Sequence, residues 1–149
     1  MIAPRGAGEA KRSLLPADRE ITVPIASDLD IVAARQLGRT MATQLGCSPT
    51  EAALIATAIS ELARNIVLYA KDGEIGLTVA NGGGKQGIVV VARDQGPGIA
   101  DVSRAVTEGY STSGGLGIGL SGVRRLVDEF EISSEPGKGT TVTVKRWRR

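Results

Sequence analysis

The sequence predicts an α+β fold, a two-layer α/β sandwich in which helices cover one face of a mixed, mostly antiparallel sheet. Three observations predict it. Two helix-start signals fall at residues 27 and 48, and each is followed by apolar residues three or four apart. The period then shortens over residues 74–93, where alternating and unbroken apolar runs flank a glycine-rich stretch. A third amphipathic stripe and a final pair of short β-runs close the chain.

Residues 1–19, rich in Pro, Gly, Ala and charge, read as a mobile N-terminal tail, and residues 20–149 as one domain. Residues 20–25 alternate in polarity and suit an edge strand, the place where Pro24 is tolerated. Ser27 with Asp30 resembles a capping box; the stripe Ile31, Ala34, Leu37, Met41 and Leu45 follows, and Gly46 sits at the C′ position. Ser48, Pro49 and Glu51 then supply N-cap, N1 and N3 of a second helix expected to reach about Ala70. Its core face is Ile55, Ile59, Leu62, Ile66 and Tyr69. Residues 74–80 form a half-buried strand, 81–87 a hairpin loop, and 88–93 a central strand apolar enough to be covered on both faces. A glycine-rich loop occupies about 94–116. Leu120, Val123, Val127 and Phe130 mark a third helix, and residues 131–134 and 140–145 flank a Pro136-to-Gly139 turn.

Composition removes several classes of function. The 149 residues contain no His, so no Ser-His-Asp or Cys-His catalysis, no His-ligated metal and no phosphohistidine can arise within the chain. The single cysteine, Cys47, excludes an internal disulfide and reads as a small buried filler. Residues 20–144 carry 10 basic and 14 acidic residues, so the net charge of +2 comes from the two ends. That balance argues against a nucleic-acid-binding face. The longest strand-like apolar run, 88–92, is far too short to span a membrane, and residues 1–19 lack a signal-peptide core. Cytoplasm is the expected location, with neither nucleic acid nor membrane as partner. Trp147 should end the last strand and pack over an edge.

Fourteen of the 20 glycines lie between Gly82 and Gly139, so the excess is local. The run Asp94-Gln-Gly96-Pro-Gly98-Ile99 follows a buried strand. There an Asp could take a hydrogen bond from the amino group of a flat heterocycle, and glycines could admit close backbone approach; taken alone, the segment reads first as a plain turn. Gly114 to Gly122 opens the third helix, where free N–H groups make an anion site suited to phosphate. Gly117-Ile-Gly119-Leu-Ser-Gly122 also matches G-x-G-x-x-G, but a polar loop rather than a strand precedes it, so the dinucleotide reading is rejected. Glu61 and Asn65 share a helix face at i, i+4. They could act as general base and Mg²⁺ ligand, or form a solvated face. Arg64 between them reads as a surface or partner contact.

Taken in order, Glu61-Leu-Ala-Arg-Asn65, Asp94-Gln-Gly96-Pro-Gly98 and Gly115-Leu-Gly117-Ile-Gly119-Leu resemble the N, G1 and G2 boxes of the GHKL (Bergerat-fold) ATPases and kinases, with Gly139-Thr140 like the closing Gly-Thr pair. The resemblance spans about 20–146. Residues 30–38, 58–65 and 111–117 are similar to the RsbT-type serine kinases of bacterial partner-switching modules. The resemblance implies ATP and Mg²⁺ as cofactors, Asn65 on the metal, and Glu61 as base for a substrate hydroxyl. It implies Asp94 on the adenine amino group, Gly96, Gly98 and Ile99 shaping the pocket, and Thr140 assisting. Gly115, Gly117 and Gly119 would hold phosphates, under a lid of residues 99–114. Phosphoryl transfer asks mainly for positioning and charge neutralisation, so this inventory suffices. The lid's one basic residue, Arg104, lies well before the glycine cluster, where related kinases carry an Arg nearer the lid's end. The implied substrates are STAS-domain proteins (RsbS/RsbR-like) of the stressosome, and the implied second partner is a PP2C-type phosphatase (RsbU-like) or other effector. The alternative implied is an anti-sigma-factor-like regulator in which ATP is mainly structural. A histidine-kinase fragment is the weakest reading, because the chain has no His to phosphorylate.

Overall fold

The computed structural model describes residues 19–98 and 118–149. Except for Arg19, the expected tail lies outside them, as do the expected lid, Arg104, Ile99, Gly115 and Gly117. The described elements are β1 (Ile21–Ile25), α1 (Asp28–Gln44), α2 (Pro49–Tyr69), β2 (Gly73–Gly82), β3 (Lys85–Asp94), α3 (Gly119–Leu126), β4 (Glu129–Ser134) and β5 (Thr140–Trp147). The strands form one sheet in the order β1-β2-β3-β5-β4. Every neighbouring pair is antiparallel, the all-antiparallel limit of the mixed sheet expected.

Helix ends follow their local chemistry. The Asp30 carboxylate accepts from the N–H groups of Ala26 (2.8 Å) and Ser27 (3.1 Å), tying down the entry to α1. α1 ends in a Schellman motif: Gly46 takes φ +88° and donates to the Thr43 carbonyl, and Cys47 N–H donates to that of Ala42. Ser48 Oγ accepts from Glu51 N–H at 3.1 Å while Glu51 Oε1 accepts from Ser48 N–H at 3.2 Å, closing the capping box that starts α2. The helices cross closely at Gly38, where a Cβ would lie 2.1 Å from Ile59 Cδ1. Ile25, Ile59, Leu62, Ile66, Ile75, Leu77, Ile88, Val123 and Val144 form the fully buried centre between helices and sheet.

Four local expectations change. The 81–87 loop contracts to Gly83-Gly84, both at positive φ, as a two-residue primed turn requires, and pairing continues to Gly82↔Lys85. β3 is central in the order, but the described residues cover it on one face: Ile88, Val90 and Ala92 are buried, whereas Val89, Val91 and Arg93 are half-buried. The third helix stops at Leu126. Val127 turns extended, Asp128 N–H donates to the Lys145 carbonyl, and Phe130 pairs with Val144 in β4. Tyr69 is 43% exposed rather than core. Trp147 ends β5 as expected; its Nε1 donates to Glu129 Oε2 of the edge strand β4 at 3.4 Å, and its ring also lies against the β2–β3 hairpin, where a Cβ on Gly87 would be 3.0 Å from it.

The basic C-terminus serves the helices. Arg146 Nη1 donates to the Leu126 carbonyl ending α3, and Arg148 Nε to the Gly46 carbonyl ending α1. Arg149 N–H donates to Glu51 Oε2 at 2.9 Å, and its guanidinium pairs with Asp128 at 2.6 Å. Burial opposes ionisation of Glu51, but the N–H groups of Arg149 and Ser48 and the nearby Arg146 and Arg149 charges outweigh it and hold its carboxyl below the usual range. Asp128 is likewise held low: burial works against its charge, and Trp147 N–H with Arg149 prevails. Burial, with the nearby Glu51 charge, pushes the half-buried Cys47 thiol up. α2 is the one described helix long and apolar enough to cross a membrane, yet 56% of its apolar window is buried against the sheet and its neighbours.

Candidate functional site

The candidate residues gather along α2 and at the sheet end where β2 begins and β3 finishes. Glu61 lies on the fourth turn of α2 and is only 8% exposed. Burying a carboxylate there is tolerable because both oxygens are engaged. Oε2 accepts from Arg64 Nη1 at 2.5 Å. Oε1 accepts from the backbone N–H groups of Ile118 (3.1 Å) and Gly119 (3.4 Å) at the start of α3. Ile118 is right-handed (φ −87°, ψ −13°) and Gly119 has φ +68°, the right-then-left pairing that turns consecutive N–H groups into an anion-binding nest. Without a Cβ, Gly119 adopts that angle free of strain. Asn65, one turn further, is half-buried and its amide makes no hydrogen bond with another described residue.

The second corner is built from β3. Asp94 ends the strand in register with Gly73 of β2 and Thr140 of β5. Its Oδ1 accepts from Gly96 N–H at 2.8 Å, so the turn reading of this segment is correct as geometry. The turn is clamped from two sides. Gly137 N–H donates to the Pro97 carbonyl at 2.7 Å, and a Cβ on Gly98 would lie 2.1 Å from the Glu135 carbonyl oxygen. A Cβ on Gly139 (φ +84°) would meet the Asp94 carbonyl oxygen at 2.2 Å. On the other side, a Cβ on Gly96 would lie 2.6 Å from that of Ala70, the C-cap of α2. Thr140 Oγ1 and Ser134 Oγ lie 2.8 Å apart, joining β5 to β4 beside Asp94.

These placements give α2 a direction. The Asp94–Gly96 corner abuts Ala70, Asn65 stands between, and Glu61 meets the nest. At ~1.5 Å rise per residue, Ala70 and Glu61 are roughly 14 Å apart along the axis, comparable with an extended nucleoside triphosphate. The residues fit such a ligand: a carboxylate for an amino group at one end, an anion nest at the other, and glycines where side chains would fill the floor. The described residues hold no cluster of three or more acidic or thiol ligands. The Asn65 amide oxygen is a donor that could hold Mg²⁺ together with phosphates.

Arg64, expected as a surface or partner contact, is about a third exposed and also pairs with Glu61. The i, i+3 spacing was visible, but nothing in it showed that Glu61 would be buried and Arg64 its companion. The backbone of Ile118 was also missed, because an N–H contact leaves no side-chain signature. The 135–139 turn, read as a hairpin connection only, additionally buttresses the Asp94 corner.

A model of the histidine kinase-, DNA gyrase B-, and HSP90-like ATPase family matches residues 50–148. The chain is 53% identical to serine/threonine-protein kinase RsbT of Bacillus subtilis, over 85% of this chain and 96% of that protein. It is 32% identical to an anti-sigma F factor of Thermoanaerobacter sp., over 76% and 82% of the respective chains. In fold it resembles the RsbU and RsbW domains of a Mycobacterium tuberculosis protein, with TM-score 0.59 and 22% identity. That likeness covers 87% of this chain and 32% of the other, much longer one.

Proposed function

The chain belongs to the histidine kinase-, DNA gyrase B-, and HSP90-like ATPase family, on its serine/threonine-protein kinase side, and from that premise we propose that it is a switch kinase using ATP and Mg²⁺ to phosphorylate a serine or threonine of a STAS-domain protein. The observation that carries the reading is the order along α2, from the Asp94 corner past Asn65 to Glu61 and the nest. In this reading residues 20–149 are the kinase domain. Asp94 accepts from the adenine amino group, Gly96, Gly98 and Ile99 line the base site, and Thr140 supports Asp94 from β5. The Asn65 amide oxygen ligates Mg²⁺ on the phosphates, which Gly115, Gly117 and Gly119 approach through backbone N–H groups. Glu61 takes the proton of the substrate hydroxyl as its oxygen bonds to the γ-phosphorus. The bond to the β-phosphate oxygen breaks, and ADP leaves.

Two finer points belong to the same proposal. The substrates are RsbS/RsbR-like STAS proteins of a stressosome, and the kinase released from them engages an RsbU-like PP2C-type phosphatase or another effector. The supporting observation is the 53% identity to an RsbT, extended over nearly all of that protein. The 32% identity to an anti-sigma F factor favours a second reading, a regulator that holds a sigma factor and uses ATP mainly as structure. Incubation with a STAS-domain protein and γ-labelled ATP separates them. The kinase reading expects label on a serine or threonine of the STAS protein. Capture of a sigma factor without label transfer would support the other.

A further inference from the structure

We propose that Glu61 is an internal stand-in for phosphate: its carboxylate occupies the Ile118–Gly119 nest, and a nucleotide phosphate must displace it before Glu61 can act as a base. This rests on the reading of the site as a nucleotide pocket. Three observations carry it beyond that reading. The nest donates to a single oxygen, Oε1, from two consecutive N–H groups at 3.1 and 3.4 Å, the way such a concavity receives an anion. The other oxygen pairs with Arg64, and the residue is 8% exposed, so a hydroxyl from another protein meets a buried carboxylate with both oxygens engaged while both contacts hold. The two contacts also differ in kind. Arg64 sits on the same helix one turn away, an arrangement that survives rearrangement elsewhere, whereas the nest lies 57 residues along the chain on α3.

The asymmetry makes a switch. Phosphate oxygens compete for the nest because they are anions of higher charge density. When they take it, Oε1 is released while Arg64 continues to aim the carboxylate. Arg64 is thus a positioning residue, and the base is exposed only once nucleotide is seated. The cost is weaker nucleotide affinity, reduced by the fraction of molecules in the released state.

Isothermal titration of the 149-residue chain with Mg-ADP, and with adenosine as the ligand lacking phosphate, tests this. Glu61→Gln removes the charge. Glu61→Asp keeps it but retracts it by about one bond, roughly 1.5 Å, beyond reach of the nest. Both variants should bind Mg-ADP more tightly than the parent, on the order of tenfold if the latched state holds about nine-tenths of molecules. Adenosine affinity should be unchanged in both. Amide exchange at Ile118 and Gly119 should speed up in both variants and slow again with ADP. Tightening in Glu61→Gln alone overturns the proposal in favour of simple charge repulsion. No tightening in either variant makes the contact a fixed strut. If one variant does not fold, the other and the exchange data decide. If the parent chain binds neither ligand, the nucleotide-pocket reading itself fails, an outcome distinct from failure of the latch.

Discussion

α2 buries two carboxylates ten residues apart, and they do different things. Glu51 is 9% exposed and Glu61 8%, so burial does not separate them. Their donors do. Glu51 accepts from Ser48 and Arg149, backbone groups that close a helix cap and fasten the chain's end. No outside ligand has use for those atoms. Glu61 accepts from a nest whose geometry suits any anion and from a guanidinium one turn away. A buried carboxylate is marked as chemical, then, by whether its partners could serve something else. At one end of α2 the carboxylate completes the fold; at the other it stands at the proposed site.

Several changes would break or sharpen that contrast. The Glu61 end should respond most to substitution: besides Glu61 itself, Asn65→Ala should lower Mg-dependent transfer by on the order of a hundredfold through lost metal affinity, read in labelled-phosphate assays at limiting Mg²⁺. Gly139→Ala comes next. Its φ of +84° and the 2.2 Å approach of the Asp94 carbonyl leave no room for a methyl, so the variant should lose about 2 kcal/mol or more in denaturant titrations and bind nucleotide poorly. The Glu51 end should respond to acid rather than to substrate. Glu51 and Asp128 are both held below their ordinary values of 4.5 and 3.8, so the stability they contribute is present above those values. It is lost as pH falls through the depressed ones. Melting of the parent should therefore decline steeply below about pH 4.5, and Asp128→Asn should be less stable at neutral pH yet flatter in acid. The smallest effect belongs to the open sheet face, where Arg93 pairs with Glu20 and Glu74 at 2.8 Å with side chains about a third exposed. The Arg93 hydrogen bond holds Glu20 low, but solvent screens the pair. Glu20→Ala should shift stability by less than about 0.5 kcal/mol.

Much of this was legible in the sequence because caps and glycines are local signals. Ser48, Pro49 and Glu51 announced α2, Gly46 announced the end of α1, and Glu61 with Asn65 had to share a face. What escaped depended on partners far along the chain. Val127 and Phe130 continue a helical spacing, yet β5 pairs with residues from Glu129 onward and Asp128 binds Trp147 N–H, so the helix yields to a ladder. A run of glycines carries no alternating side chains, which hid how far β2 and β3 stay paired. Val89 and Val91 look like core from composition alone, but whether a second layer covers them is not written locally. The partners of Glu61 were invisible for the same reason: two are backbone N–H groups on α3, 57 and 58 residues away.

The central claim is that chemistry belongs to Glu61 and architecture to Glu51. The most direct test is the initial rate of phosphate transfer from ATP to a STAS-domain protein, measured for Glu61→Ala and Glu51→Ala at a temperature where melting curves show both folded. Loss of a general base predicts a rate about a hundredfold to ten-thousandfold below the parent for Glu61→Ala. Glu51→Ala should stay within about twofold of the parent while melting lower by an amount consistent with ~1–3 kcal/mol. Equal rates in the two variants, or transfer undiminished by Glu61→Ala, would contradict the account.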